Sequence, residues 1–101
     1  MPKGYVIFTE DIHDQDQIGA YGQQAIPTIL QAGGQILVVD DAPEQIEGSW
    51  HGTRTVVLEF ESVAAARSWY TSAEYQAVAG LRHAAADNKA AIVAGFELPA
   101  G

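Results

Sequence analysis

His51, Arg54 and Glu59 fall in one short stretch of the chain, and each is of a type that can move a proton or hold an anion. His51, beside Trp50 in a glycine-flanked loop, is the side chain best suited to exchange a proton near neutral pH. Its plainer reading is a solvated loop residue. Arg54 opens an alternating run in which it shares a side with Val56, Leu58 and Phe60, so its guanidinium points into or beside an apolar layer. A cation there needs a partner, either an anionic ligand or a protein carboxylate such as Glu59, Glu61 or Glu97. Glu59 is a second candidate base, because burial raises a carboxyl pKa. Otherwise it accepts a hydrogen bond at an interface. These three, one electrophile and two bases, are the candidate catalytic residues.

Trp50, Tyr70, Tyr75 and Arg82 are the candidate substrate contacts. Trp69, Tyr70 and Tyr75 crowd a helix break and also suit core packing, with each hydroxyl finding a local partner. Arg82 is expected on the exposed side of the last helix. The run Asp11-Ile12-His13-Asp14-Gln15-Asp16 offers metal-type donors. Acidic residues at a helix start follow from the helix dipole, however, and the spacing fits no EF-hand, so no metal is expected. There is no phosphate-cradling glycine loop, nucleophile elbow or His-Glu-x-x-His helix, and no cofactor is expected.

Composition narrows the partners. The chain has no cysteine, which excludes disulfides, thiolate catalysis and cysteine-held metal. A formal charge of −8 repels phosphate backbones and anionic membranes. No nucleic-acid or membrane partner is therefore expected. No run approaches the roughly 20 apolar residues of a membrane helix. The opening Met1-Pro2-Lys3-Gly4-Tyr5 lacks a signal peptide's pattern, so the default location is cytoplasmic. With 101 residues, 48% of them hydrophobic, a single domain over residues 1–101 is expected.

The elements that must position these groups are legible in the periodicity. Tyr5 to Ile12 alternates as a first strand, with Val6, Phe8 and Ile12 on one side and Tyr5, Ile7 and Thr9 on the other. Asp14 to Ala32 follows as a helix with Ile18, Tyr21, Ala25, Ile29 and Ala32 on its apolar face. Pro27 predicts a kink there or a helix in two pieces. Gly33-Gly34 ends it, Gln35 to Asp40 is a second strand, and residues 42–52 form a long loop. Thr53 to Glu61 is the third strand. Ser62 and Ser72 cap two successive helices, the second with Ala77, Val78, Leu81 and Ala85 as its apolar face. Asp87-Asn88 is read as a turn before a last strand over 91–98.

The order strand, helix, strand, strand, helix, strand predicts an α+β, ferredoxin-like βαββαβ domain with a four-stranded antiparallel sheet. Its strands carry apolar side chains on both faces, yet the helices cover only one. A second copy of the chain is the expected cover for the other, giving a homodimer. The alternative is a wet face kept polar by Thr55, Glu59, Glu61 and Glu97.

Gly33-Gly34-Gln35-Ile36-Leu37-Val38, Glu47-Gly48-Ser49-Trp50, Arg54 through Ser62, Trp69-Tyr70-Thr71-Ser72-Ala73-Glu74-Tyr75-Gln76 and Arg82 occur in this order over nearly the whole chain. In that arrangement the chain resembles the domain of unknown function 1330 family, a branch of the dimeric α/β barrel superfamily. The resemblance implies two protomers with their sheets facing each other and helices outside. It implies no activity.

Three functions compete on this footing. By superfamily analogy, the first is a cofactor-free enzyme, an isomerase, lyase or monooxygenase, acting on a small organic acid or an aromatic or polyketide-like metabolite. The second is a non-catalytic dimer that binds a small molecule in the same pocket. The third is a structural dimer whose 42–52 loop contacts another protein.

Overall fold

Alternating burial along the first strand organises the molecule. In β1 (Gly4–Ile12), the side of Gly4, Val6, Phe8 and Glu10 is buried, and Tyr5, Ile7 and Thr9 between them are half-buried. The structure is a computed structural model that describes residues 2–99. β1 is central and pairs antiparallel with β3 (Arg54–Phe60) on one side and β4 (Ala86–Ala94) on the other. β2 (Gln35–Asp40) completes the sheet in the order β2-β3-β1-β4.

Register then sorts every strand residue to a face. Val6 lies between Leu58 and Ile92, Phe8 between Val56 and Ala90, and Glu10 between Arg54 and Asn88. The opposite face carries Tyr5 between Glu59 and Val93, Ile7 between Val57 and Ala91, and Thr9 between Thr55 and Lys89. In β2 the pairing shifts between Ile36 and Val38. This irregularity at Leu37 puts Ile36 and Val39 on one face, opposite Leu58 and Val56.

Helices α1 (Gln15–Gln31), α2 (Val63–Thr71) and α3 (Ala73–Ala85) cover the Val6–Phe8 face. Asp14 caps α1 by accepting the Gln17 backbone N–H at 3.0 Å. The helix runs unbroken through Pro27, where two pieces were one expectation. Proline removes one backbone donor, but Ile18, Tyr21, Ala25 and Ile29 anchor the helix to the core along its length. Gly33, at φ +79°, ends it in a conformation that favours glycine. Ser62 and Ser72 cap α2 and α3 as expected, accepting from Ala65 N at 3.0 Å and Tyr75 N at 3.1 Å.

One element differs from its sequence reading. The last strand begins at Ala86, immediately after α3, and ends at Ala94, so Asp87 and Asn88 lie in the strand and not in a turn. Phe96 and Leu98 fall beyond it and are exposed. The cause is β1, whose full length pairs with β4 from Gly4↔Ala94 to Ile12↔Ala86. Cross-strand pairing outweighs the local turn preference of Asp-Asn.

The core closes on aromatic rings. Trp69 stacks on Phe60 at 5.4 Å between centroids and lies 4.1 Å from Tyr75. Such pairs add about 0.5–1.5 kcal/mol each beyond their burial. No helix among the described residues is long and apolar enough to cross a membrane.

Candidate active site between the first helix and the sheet

A charged residue in phase with Val6 and Phe8 is carried to the same covered face as they are. Glu10 is thus placed under α1, with only 2% of its surface exposed. Above it, Ile18, Tyr21, Ala25 and Ile29 of α1 form one wall of a cavity of about 170 Å³. Phe8, Glu10, Ile36, Val39, Arg54, Val56 and Leu58 of the sheet form the other. The chamber is largely apolar, with Glu10 and Arg54 as its charged residues.

Burial raises the Glu10 carboxyl above the ordinary carboxylate range, and the guanidinium groups of Arg54 and Arg82 oppose the rise. Arg54 is directly opposite Glu10 in the β1–β3 register. Its Nε–H nevertheless donates to Asp41 Oδ1 at 2.5 Å. The sequence expectation for Arg54 offered Glu59, Glu61 or Glu97 as the protein partner. The observed one is Asp41, the residue that follows β2. Arg54 keeps 24% of its side chain exposed and Asp41 68%. The pair therefore sits at the cavity's edge.

A second polar array lies deeper. Tyr21 and Tyr75 share a hydrogen bond at 2.8 Å between their hydroxyls, and Arg82 donates from Nε to the Tyr75 hydroxyl at 3.2 Å. The Arg82 guanidinium carbon also lies 4.4 Å from the centre of the Phe8 ring. Arg82 is 1% exposed, which corrects the expectation that it faces solvent. Hydroxyls and ring faces take the place of a carboxylate partner, so α3 can turn this residue inward. Burial pushes both tyrosine hydroxyls up, so they remain neutral donors and acceptors.

The candidate catalytic residues do not converge. Arg54 lines the covered cavity, whereas His51 and Glu59 belong to the helix-free face. There the His51 Nδ1 and Thr9 Oγ1 share a hydrogen bond at 2.7 Å, and Glu59 accepts from the Tyr5 hydroxyl at 3.0 Å. Gly52 helps hold that loop: its φ is +83°, and a Cβ there would meet the Glu10 backbone oxygen at 2.6 Å. Trp50 is on the same side, donating from Nε1 to Thr55 Oγ1 at 2.8 Å. Tyr75 is inside the core, and Tyr70 borders a separate depression with Val6, Ala90 and Ile92. Glu10 is the ionisable cavity residue that the sequence reading passed over, and Tyr21, read there only as part of the apolar face of α1, lines the cavity as well. The available signal for Glu10 was its phase, two positions beyond Phe8.

A wider and more open hollow of about 530 Å³ lies at the far end of α1, bordered by Thr28, Ser68, Ser72 and Glu74. It contains no cation and no buried ionisable group, so it offers less chemistry than the smaller cavity. Among the described residues, no cluster of three His, Asp or Glu side chains is arranged to hold a metal.

Residues 3–96 match the family model described as "Domain of unknown function (DUF1330)". No curated protein matches the chain in sequence. Among solved structures, a protein of unknown function from Rhodopseudomonas palustris is similar, with a TM-score of 0.74 at 17% identity over 96% of this chain and 85% of that one. SnoaB, a cofactor-independent oxygenase from Streptomyces nogalater, has a TM-score of 0.71 at 7% identity over 97% of each chain. A dimeric protein of unknown function and ferredoxin-like fold from Bacteroides fragilis has a TM-score of 0.54 at 9% identity, over 91% of this chain and 95% of that one. At these identities the likeness is one of fold.

Proposed function

We propose a function from one premise: the chain belongs to the DUF1330 family. It is a cofactor-free enzyme, an isomerase, lyase or monooxygenase, that handles a small organic acid in the cavity between α1 and the sheet. The observation that carries this reading is Glu10, a buried carboxylate lining an apolar chamber opposite Arg54. Removal of a proton from a carbon next to a carbonyl is a step all three reaction classes can share. Glu10 accepts that proton, and the Arg54 guanidinium stabilises the oxyanion that develops. An isomerase returns the proton to a different carbon, so the step balances without an oxidant. The fold shared with a cofactor-independent oxygenase supports the reading by analogy.

The working unit in this proposal is a homodimer joined through the helix-free faces, as the dimeric neighbour from Bacteroides fragilis suggests. His51, Trp50 and Glu59 then serve the interface or the loop over it, and Tyr75 and Arg82 support the cavity from behind through Tyr21.

Proton exchange in heavy water tests the assignment without knowledge of the natural product. Enolisable carboxylic acids are incubated with the protein, and loss of the α-proton signal is followed by NMR. Enzyme-dependent exchange that Glu10→Gln abolishes supports the proposal. Exchange unaffected by that change refutes Glu10 as the base. Ligand-induced stabilisation without any exchange selects the second reading, a binding dimer, for which the anchoring Arg54 suffices.

A further inference from the structure

We infer that the cavity between α1 and the sheet takes a monocarboxylate whose apolar body is about one ring in size, and that this carboxylate replaces Asp41 on Arg54. The inference rests on the reading of this cavity as the functional site, but not on any catalysis there.

Size sets the first limit. A cavity of about 150 Å³ with apolar walls accommodates benzene. The chamber here is about 170 Å³ and is walled by Ile18, Ala25, Ile29 and Leu58. A single ring or a short branched chain fills it, and a fused polycyclic body does not. A larger polyketide-like body would project past the exposed Ile26 and Val39 into water, so the volume favours the one-ring ligand.

Charge sets the second. Arg54 lies at the cavity's edge, with its Nε–H on a carboxylate that is mostly in water. An ion pair of this kind is worth about 0–1 kcal/mol and is readily exchanged. A ligand carboxylate arriving with its ring buried meets the same donor in a drier setting, where the pairing is stronger. Asp41, held nearby by the chain at the end of β2, is the internal competitor that occupies Arg54 when no ligand is bound. Glu10 faces the same space from β1 and discourages a second negative charge, which confines the ligand to one carboxylate and points its apolar body toward α1.

Titration calorimetry with benzoate, 2-naphthoate and benzamide tests this directly, with thermal shift as a second readout. Benzoate is expected to bind and stabilise, and both 2-naphthoate and benzamide to bind at least roughly tenfold more weakly. Asp41→Asn should tighten benzoate by up to about fivefold, since that is the value of a surface pair. Arg54→Gln should lose benzoate binding; where that variant does not fold, Arg54→Lys, which keeps the charge but not the planar donor fork, should weaken benzoate, and benzoate bound as tightly as by the unaltered chain would count against Arg54 as its anchor. Equal binding of benzoate and 2-naphthoate, an Asp41→Asn variant that binds benzoate more weakly than the unaltered chain, or retention of benzoate by Arg54→Gln would each overturn the inference. Benzoate has no enolisable proton, so this result is independent of the exchange experiment. Binding in this pattern without exchange removes only the catalytic reading.

Discussion

Glu10 and Arg54 face each other across the β1–β3 ladder, yet the Nε–H of the arginine goes to Asp41 on the loop side. Glu10 is left without an ion-pair partner among the described residues. Its carboxyl is faced by Arg54 from β3, Arg82 from α3, Asp41 from the loop and the uncharged Asn88 from β4. Burial prevails over the two cations and raises its pKa.

That direction fixes a pH dependence. When the folded pKa exceeds the unfolded one, the native state holds more protons between the two values, so stability falls as pH rises through that window. The full penalty is present above the folded pKa. Glu10→Gln should therefore raise the melting temperature at pH 7–8, and its advantage should vanish as pH falls to the ordinary value of 4.5. Thermal denaturation of both proteins across that range checks the sign. A variant that is destabilised equally at every pH would contradict the raised pKa.

Arg82 makes a second prediction through Tyr75. Tyr75→Phe removes the oxygen that receives the Arg82 Nε–H and pairs with the Tyr21 hydroxyl. Leaving a buried donor unpaired costs about 1–3 kcal/mol, and each kcal/mol lowers the melting temperature of a domain this size by roughly 4–8 °C. Arg82→Met in the Tyr75→Phe background removes the stranded cation and should recover part of the loss, because a buried ion replaced by a packed apolar chain is often neutral or stabilising. Additive losses in the double variant would show that the two side chains are not coupled.

Much of this architecture is visible in periodicity and much of the site is not, for one physical reason. The sequence reading assigns Ala77, Val78, Leu81 and Ala85 to the buried side of α3; the structure buries Ala85 and packs Val78 and Leu81 partly against the core, but it leaves Ala77 exposed and buries Tyr75, Ala79 and Arg82. Polar atoms at 75 and 82 argue for exposure one residue at a time. Here they satisfy each other and Tyr21, so the helix turns that stripe inward. Glu10 is hidden in the same way, since its alternation with Val6 and Phe8 is plain but its charge argues against burial. Capping, by contrast, is a contact between near neighbours in sequence, and both serines are legible.

The Ser72 junction gives a third prediction. Ser72 Oγ accepts from Tyr75 N at 3.1 Å and donates to Trp69 O at 2.7 Å, so one hydroxyl serves both the end of α2 and the start of α3. Ser72→Ala should cost about 0.5–2 kcal/mol, typically near 1. Ser62→Ala removes a cap of the same kind that serves one helix only. Chemical denaturation of the two variants should place Ser72→Ala below Ser62→Ala in stability. The reverse order would show that the second bond of Ser72 contributes nothing.

The helix-free face carries the last prediction. Ile7 and Val57 are paired across β1 and β3 at its centre, flanked by Ala91 on β4 and Val38 on β2. Val38 and Val93 are exposed, and Tyr5 with Glu59 and Thr9 with His51 add polar pairs on the same face. An apolar centre of this kind on an open sheet favours pairing with its own copy about a two-fold axis, where each residue contributes twice. In solution the mass should be twice that of the 10.8 kDa chain. Val57→Asp places two charges in the joined centre and should leave a species of 10.8 kDa whose circular dichroism still shows the α+β domain. Light scattering over a range of protein concentration checks both. A wild-type chain that stays at the single-chain mass would remove the pairing, and a Val57→Asp dimer would move it to another face.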